Sequence, residues 1–172
     1  FEVDVSMRTT RVTRRGAERW SVRRHPWIYR GDVIEPPPGE AAGAVRVVDA
    51  RDGLVGMALW SPASSIALRM LTRGERPIDG DFWRARLRSA LARREAAAPD
   101  ATAYRLVHGE ADGLPSLVVD RYDAWLVVQL LSAGLEAHRA ALVEALGDVF
   151  APAGILARND PPVREHERLP RP

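Results

Sequence analysis

Residues 14–33, RRGAERWSVRRHPWIYRGDV, decide how the N-terminal half is read. Trp20 and Trp27 stand seven residues apart, two helical turns, so the stretch opens with a short helix carrying one apolar edge. Pro26 ends that helix near Arg24, because a proline pushes the residue before it, His25, out of the α region. Asp32–Glu35 reads as a brief strand, and PPPGEAAG (36–43) as a loop that proline keeps extended and out of any ladder. Residues 44–60, AVRVVDARDGLVGMALW, place two Val/Leu-rich runs around Ala50-Arg51-Asp52-Gly53, whose Asp-Gly pair tolerates positive φ; this is a hairpin. In SSIALRML (64–71), Ile66, Leu68 and Met70 alternate with Ala67, Arg69 and Leu71. Four or five short strands and one helix in about 60 residues predict a small closed β-barrel.

Beyond the barrel the composition changes. Gly74, Pro77 and Gly80 mark a boundary, and Asp81 can cap a helix running from Phe82 to about Ala98 with Trp83, Leu87 and Leu91 as its buried stripe. Arg84, Arg86, Arg88, Arg93 and Arg94 cover the rest of it, either as a solvated face, the simpler account, or as an RNA-facing surface. Three strands follow, YRLVH, SLVVD and WLVVQLL, separated by the turns GEADGLP and RYDA. Leu135, Leu142, Val143, Leu146, Val149 and Phe150 then mark one face of a helix that Pro152 stops, and GILAR returns as a further strand. The tail NDPPVREHERLPRP (159–172) holds too few apolar residues to finish a core and reads as a link to something more. The fold class is α+β: a tail over 1–11, the barrel over 12–75, a linker helix over 76–100 and a small α/β unit over 101–172. Residues 1–6 match no element and receive no role.

The 172 residues include 46% hydrophobic ones, enough for a core, and no apolar run approaches the roughly 20 residues of a membrane span; a cytoplasmic protein without a membrane partner is expected. With no cysteine, disulfides, thiolate zinc sites and a cysteine nucleophile are excluded from this segment. The basic residues are all arginine, and residues 1–30 hold eight of them against three acids, while residues 31–172 are net acidic. Such localisation is an electrostatic footprint for a polyanion, or else a solvated arm. Cofactor chemistry finds no foothold: a glycine-rich strand-to-helix turn is missing, and Gly109 and Gly113 flank an acidic turn between strands. Glu110, Asp112, Asp120 and Asp123 form the one dense carboxylate set. They leave open a divalent-metal site, and with it a small acidic-site hydrolase, beside the ordinary turn chemistry that Arg105 and Arg121 could neutralise.

Two stretches carry a resemblance. RRHPWIYRGDV (23–33) and GEADGLPSLVVDRYDAWLVVQLLSAG (109–134), with VREHERLP (163–170) behind them, resemble the N-terminal portion of the bacterial ribosomal RNA large subunit methyltransferase I family of cytosine-5 methyltransferases, over about residues 12–168. The resemblance implies a PUA RNA-binding domain over 12–75, and over 101–172 a connecting domain of strand-strand-helix-strand-strand type. A C-terminal Rossmann-like methyltransferase domain that holds S-adenosylmethionine would be absent from this segment. It implies no catalytic, cofactor or metal residue here. For RNA contact it points to the first helix and adjoining strands, hence to Arg14, Arg15, Arg19, Arg23, Arg24, His25 and Arg30; Trp20 and Trp27 read as core residues, with base-stacking platforms as the alternative. The implied partners are structured RNA, large-subunit ribosomal RNA above all, and the missing methyltransferase domain; a homodimer stays open. The alternative is a free-standing PUA-type RNA-binding protein without catalytic activity.

Overall fold

The computed structural model describes residues 7–97 and 100–171, so residues 1–6 and the expected helix end at Ala98 lie outside the described residues. The chain divides into two compact units, the first up to Arg76 and the second from Pro77. The first contains β1 (Thr9–Val12), α1 (Arg14–Ser21), β2 (Trp27–Ile28), a 3₁₀ turn (Arg30–Asp32), β3 (Val33–Glu35), β4 (Gly43–Val48), β5 (Leu54–Trp60) and β6 (Leu68–Thr72). They form one six-stranded sheet in the order β2-β6-β5-β4-β1-β3.

That order forces a curl. The edge strands β2 and β3 are consecutive in the chain, joined only by Tyr29–Asp32. A flat six-stranded sheet would hold its edges about 24 Å apart, five spacings of about 4.8 Å. The five steps from Ile28 to Val33 reach at most about 17 Å even fully extended. The sheet therefore bends round until its edges approach, enclosing Val12, Ile28, Val45, Val47, Ala58 and Leu68. Closure comes from this covalent strap, where the sequence reading expects a closed ladder. Two further differences concern the ends of elements. The helix stops at Ser21, so Trp27 is a strand residue paired with Arg69. Thr9, Thr10 and Arg11, assigned to the tail, form β1, which runs parallel to β4. Four residues are too few to show a period, and their partners in β3 and β4 lie more than 20 positions away.

The second unit contains α2 (Gly80–Ala97), β7 (Ala103–His108), a 3₁₀ turn (Gly109–Asp112), β8 (Leu117–Tyr122), β9 (Trp125–Leu130), α3 (Ala133–Glu136), α4 (Arg139–Phe150), β10 (Gly154–Ala157) and α5 (Val163–His166). Its sheet runs β10-β9-β8-β7, antiparallel except for the β9–β10 pair, which the α3–α4 crossover makes parallel. The order of three strands, helices and one strand differs from the strand-strand-helix-strand-strand pattern that the resemblance implies, because both tight turns fall before the crossover. Asp79, not Asp81, caps α2: its Oδ1 accepts from Phe82 N–H at 3.0 Å. The helix buries Phe82, Trp83, Leu87 and Ala90 on its side toward α4, whose Leu142, Ala145 and Leu146 are buried, while Leu91 of the expected stripe is only half-buried.

Three of the α2 arginines are not a solvated face, while Arg88 stays exposed. Arg84 reaches Asp148 at 2.7 Å, Glu144 at 2.9 Å and Asp81 at 3.2 Å. Arg93 and Arg94 grip the buried Asp112 at 2.8 and 2.6 Å, and His108 N–H donates to the same carboxylate at 2.7 Å. Asp112 thus ties the helix to the 109–113 turn, which takes it out of the carboxylate set, and Asp120 is held by Arg105 at 2.8 Å. The tail is docked as well, through polar rather than apolar residues. Arg164 is fully buried and donates to Leu130 O and Pro170 O, while Glu167 accepts from Ala133 N–H at the start of α3.

One glycine tests the barrel directly. Gly56 has φ +146°, and a methyl group there would sit 1.9 Å from Thr72 O on the neighbouring strand. Gly56→Ala should therefore cost more than about 2 kcal/mol in urea unfolding, since neither the backbone angle nor the strand spacing can yield cheaply. A wild-type midpoint would contradict the packing described here.

Candidate nucleic-acid interface

The first helix is seated on a buried carboxylate. Thr13 caps α1, its hydroxyl oxygen accepting from Gly16 N–H at 3.1 Å while its hydroxyl donates to Asp32 Oδ1 at 2.9 Å. Thr13 N–H donates to Asp32 O at 2.8 Å, so both the backbone and the side chain of Asp32 hold the helix start. Arg15 Nε meets Oδ1 at 2.7 Å and Arg19 Nε meets Oδ2 at 3.4 Å. Gly16 makes the approach possible: a methyl group there would come within 2.9 Å of Asp32 Cβ. Burial alone would raise the Asp32 pKa, but hydrogen bonds from Arg15, Thr13 and Arg19 outweigh it and hold the carboxyl below the usual carboxylate range.

This arrangement sorts the seven expected contact residues. Arg15 and Arg19 are engaged with Asp32, and Arg19 also lies over the Tyr29 ring at 5.0 Å. Arg30 donates to Ser61 O, Pro62 O and Ser64 O at 2.7–2.8 Å and stacks over Trp60, so it fastens a turn. Arg14 is paired with Glu18 one turn on, at 2.7 Å, yet stays widely exposed. Arg23, Arg24 and His25 are exposed together just past the helix, and neither arginine has an ion pair among the described residues. Arg24 adopts φ +57°, a left-handed conformation that costs a non-glycine residue about 1 kcal/mol or more. His25 N–H donates back to Arg19 O at 2.8 Å, and its ring meets Trp27 edge-on.

Sequence reasoning missed two neighbours of this surface. Arg73 lies over the Trp20 ring at 5.3 Å and donates to Ser21 O at the end of α1. An open groove of about 450 Å³ runs between α1 and the β4–β5 turn, lined by Arg14, Glu18, Ser21, Asp49 and Arg51. No sequence signal brings residues 14–21 and 49–51 together, because only the sheet register does so.

The fold and the basic helix end define the first unit as a PUA-like domain: residues 12–73 match the family model described in those words. Over nearly its whole length the chain is related in sequence to the ribosomal RNA large subunit methyltransferase I family, as its two fingerprints imply. It is 38% identical over 165 residues to the protein of that name from Erwinia tasmaniensis, covering 92% of this chain and 41% of the relative. With the Tolumonas auensis protein it shares 40% over 168 residues, 95% of this chain and 42% of the relative. The chain thus spans about two-fifths of the length of these curated relatives. In fold it is similar to a candidate SAM-dependent methyltransferase from Streptococcus mutans, with TM-score 0.75 and 16% identity over 88% of this chain and 41% of that one. A candidate methyltransferase complexed with SAH gives TM-score 0.75 at 15% identity, over 87% of this chain and 40% of that one.

Asp32 has a pH signature. A carboxyl whose pKa is lower in the folded than in the unfolded state stabilises the fold fully above about pH 4, and that contribution fades as pH falls further. Asp32→Asn should cost about 2 kcal/mol at pH 7. Between about pH 5 and pH 3 it should lose less stability than the wild type, as read by urea midpoints across that range. Parallel acid profiles would remove Asp32 from its place under the helix.

Proposed function

We propose that the first unit recognises structured RNA through Arg23, Arg24 and His25, with Arg14 at the opposite end of α1 as a further contact. In this reading the chain is the RNA-recognition part of an S-adenosylmethionine-dependent methyltransferase acting on cytosine C5 in 23S ribosomal RNA. One observation carries it: of the arginines in the basic stretch, the adjacent pair left without carboxylate partners is exposed at the end of the helix that Asp32 seats. Planar guanidinium groups held clear of acids can clamp phosphate oxygens in pairs, and RNA duplexes are read largely through backbone and shape. The relatives' names supply the ribosomal RNA and the methyl transfer.

The residues present do not fit the cofactor. Two strand pairs run parallel among the described residues, β1 with β4 and β9 with β10, and the helices that follow β1 and β9 have first-turn N–H groups already taken, Gly16 N–H by Thr13 Oγ1, Leu135 N–H by Ser132 Oγ and Ala133 N–H by Glu167 Oε2. Neither helix end offers a cradle, and in this reading the cofactor is held by a part of the relatives' length that this chain does not span. Calorimetric titration of S-adenosylmethionine into this chain should accordingly show no saturable heat. Micromolar binding would mean that a cofactor site lies within these residues. No described helix is long and apolar enough to cross a membrane.

The RNA surface is tested by charge reversal. Arg23→Glu/Arg24→Glu should weaken binding to ribosomal RNA fragments on the order of tenfold and flatten the slope of log affinity against log salt by nearly one unit per lost contact. Arg24→Gly, which relieves the left-handed strain, should lose affinity while keeping or raising thermal stability. Arg88→Glu, at an exposed position of α2, should do less than the Arg23/Arg24 pair. If Arg88→Glu proves the more damaging in gel shifts, the surface is misplaced.

A further inference from the structure

The β8 and β9 strands alternate, with Gln129 the one buried residue of β9 on the outer face. Leu117, Val119, Leu126, Val128 and Leu130 turn inward and are buried, which places Tyr122, Trp125, Val127 and Leu156 on the opposite face. There Tyr122 is 54% exposed, Trp125 57% and Leu156 62%. Tyr122 and Trp125 are directly opposed across the β8–β9 hairpin. Trp125 in turn sits opposite Gly154 of β10. A methyl group at 154 would lie 2.3 Å from indole Cζ3 and 2.7 Å from Cε3, so the benzo half of the ring rests where a side chain would otherwise stand. The indole is supported from below by β10 and remains open to solvent.

We propose that Tyr122 and Trp125 form a stacking platform for unpaired bases of RNA, a second contact that extends the RNA reading above and rests on it. Large exposed aromatic surface on a folded domain is uncommon without a partner. A base stacks on any flat π surface, and a tryptophan already held against backbone gives up little conformational freedom on binding. The surroundings favour a base over a protein partner: the exposed apolar residues are two aromatics and one leucine rather than a broad aliphatic field. Asp120, on the same face, interrupts them. Arg105 and Arg158 stand on either side, both within electrostatic reach of Tyr122. Each already has a carboxylate partner, Asp120 at 2.8 Å and Asp160 at 3.0 Å. The platform therefore contributes stacking rather than a grip on phosphate, and its contribution is insensitive to salt.

The experiment is fluorescence anisotropy with a labelled single-stranded 12-nucleotide RNA, measured across a salt series on the whole chain. Trp125→Ala should weaken binding about tenfold without changing the salt slope. Trp125→Phe should keep most of the affinity, and Gly154→Ala, which unseats the ring, should lose part of it with Trp125 still present. Circular dichroism on each variant reports the fold. Unchanged affinity in Trp125→Ala overturns the platform; if Arg23→Glu/Arg24→Glu then still loses affinity and flattens the slope, the RNA surface of the first unit stands alone. Sedimentation supplies the other contrary result: a wild-type dimer that Trp125→Ala dissolves would show that a second copy, not RNA, covers this face. Absence of any binding of this single strand by the wild type overturns the platform, while loss of ribosomal RNA binding as well would overturn the first-unit reading.

Discussion

A carboxylate withdrawn from water between two arginines organises the first unit. Asp32 lies on the strap that joins the two edges of a sheet too wide to be bridged flat, and the same residue receives the N-cap hydroxyl and the first two charged turns of α1. Burying the charge is tolerable only because three donors replace its water. The consequence reaches the surface: Nε of Arg15 and of Arg19 is committed to Asp32, whereas Arg23 and Arg24 beyond the helix end have no ion pair among the described residues. The second unit repeats the device with Asp112, which Arg93 and Arg94 clamp to the turn between β7 and β8. In both units an arginine-rich helix is anchored by a single buried aspartate.

This distribution of charge explains how far the sequence could be read. The β4–β5 hairpin, β6, the β8–β9 hairpin and the apolar stripe of α2 were legible, because alternation and the 3.6-residue period are local signals that short-range turn chemistry delimits. The two fingerprints located the family from the same local stretches. β1 was not legible, since a four-residue strand acquires its meaning only from distant partners. The docking of the tail was hidden for a related reason. A search for apolar residues passes over Arg164, whose burial is made affordable by carbonyl oxygens of Leu130 and Pro170 and by Glu136.

The site itself was half visible. Charge counting identified the region correctly as basic but treated its arginines as equivalent. Folding separates them by partner: Arg15 and Arg19 to Asp32, Arg30 to the carbonyls of 61–64, Arg14 to Glu18, and Arg23 and Arg24 to none among the described residues. Arg84, Arg93 and Arg94 of α2 undergo the same conversion from apparent surface charge to internal ties. In a chain whose basic residues are all arginine, the partner of each guanidinium is more informative than its position.

The central claim is that RNA lies on the exposed end of the first helix. Photo-crosslinking of the unmodified chain to a thiouridine-bearing large-subunit ribosomal RNA fragment, followed by peptide mass spectrometry, tests it without any substitution. Crosslinks should concentrate in the peptides containing Arg23, Arg24 and His25. Crosslinks confined to α2, or none above a non-binding control protein, would contradict the account.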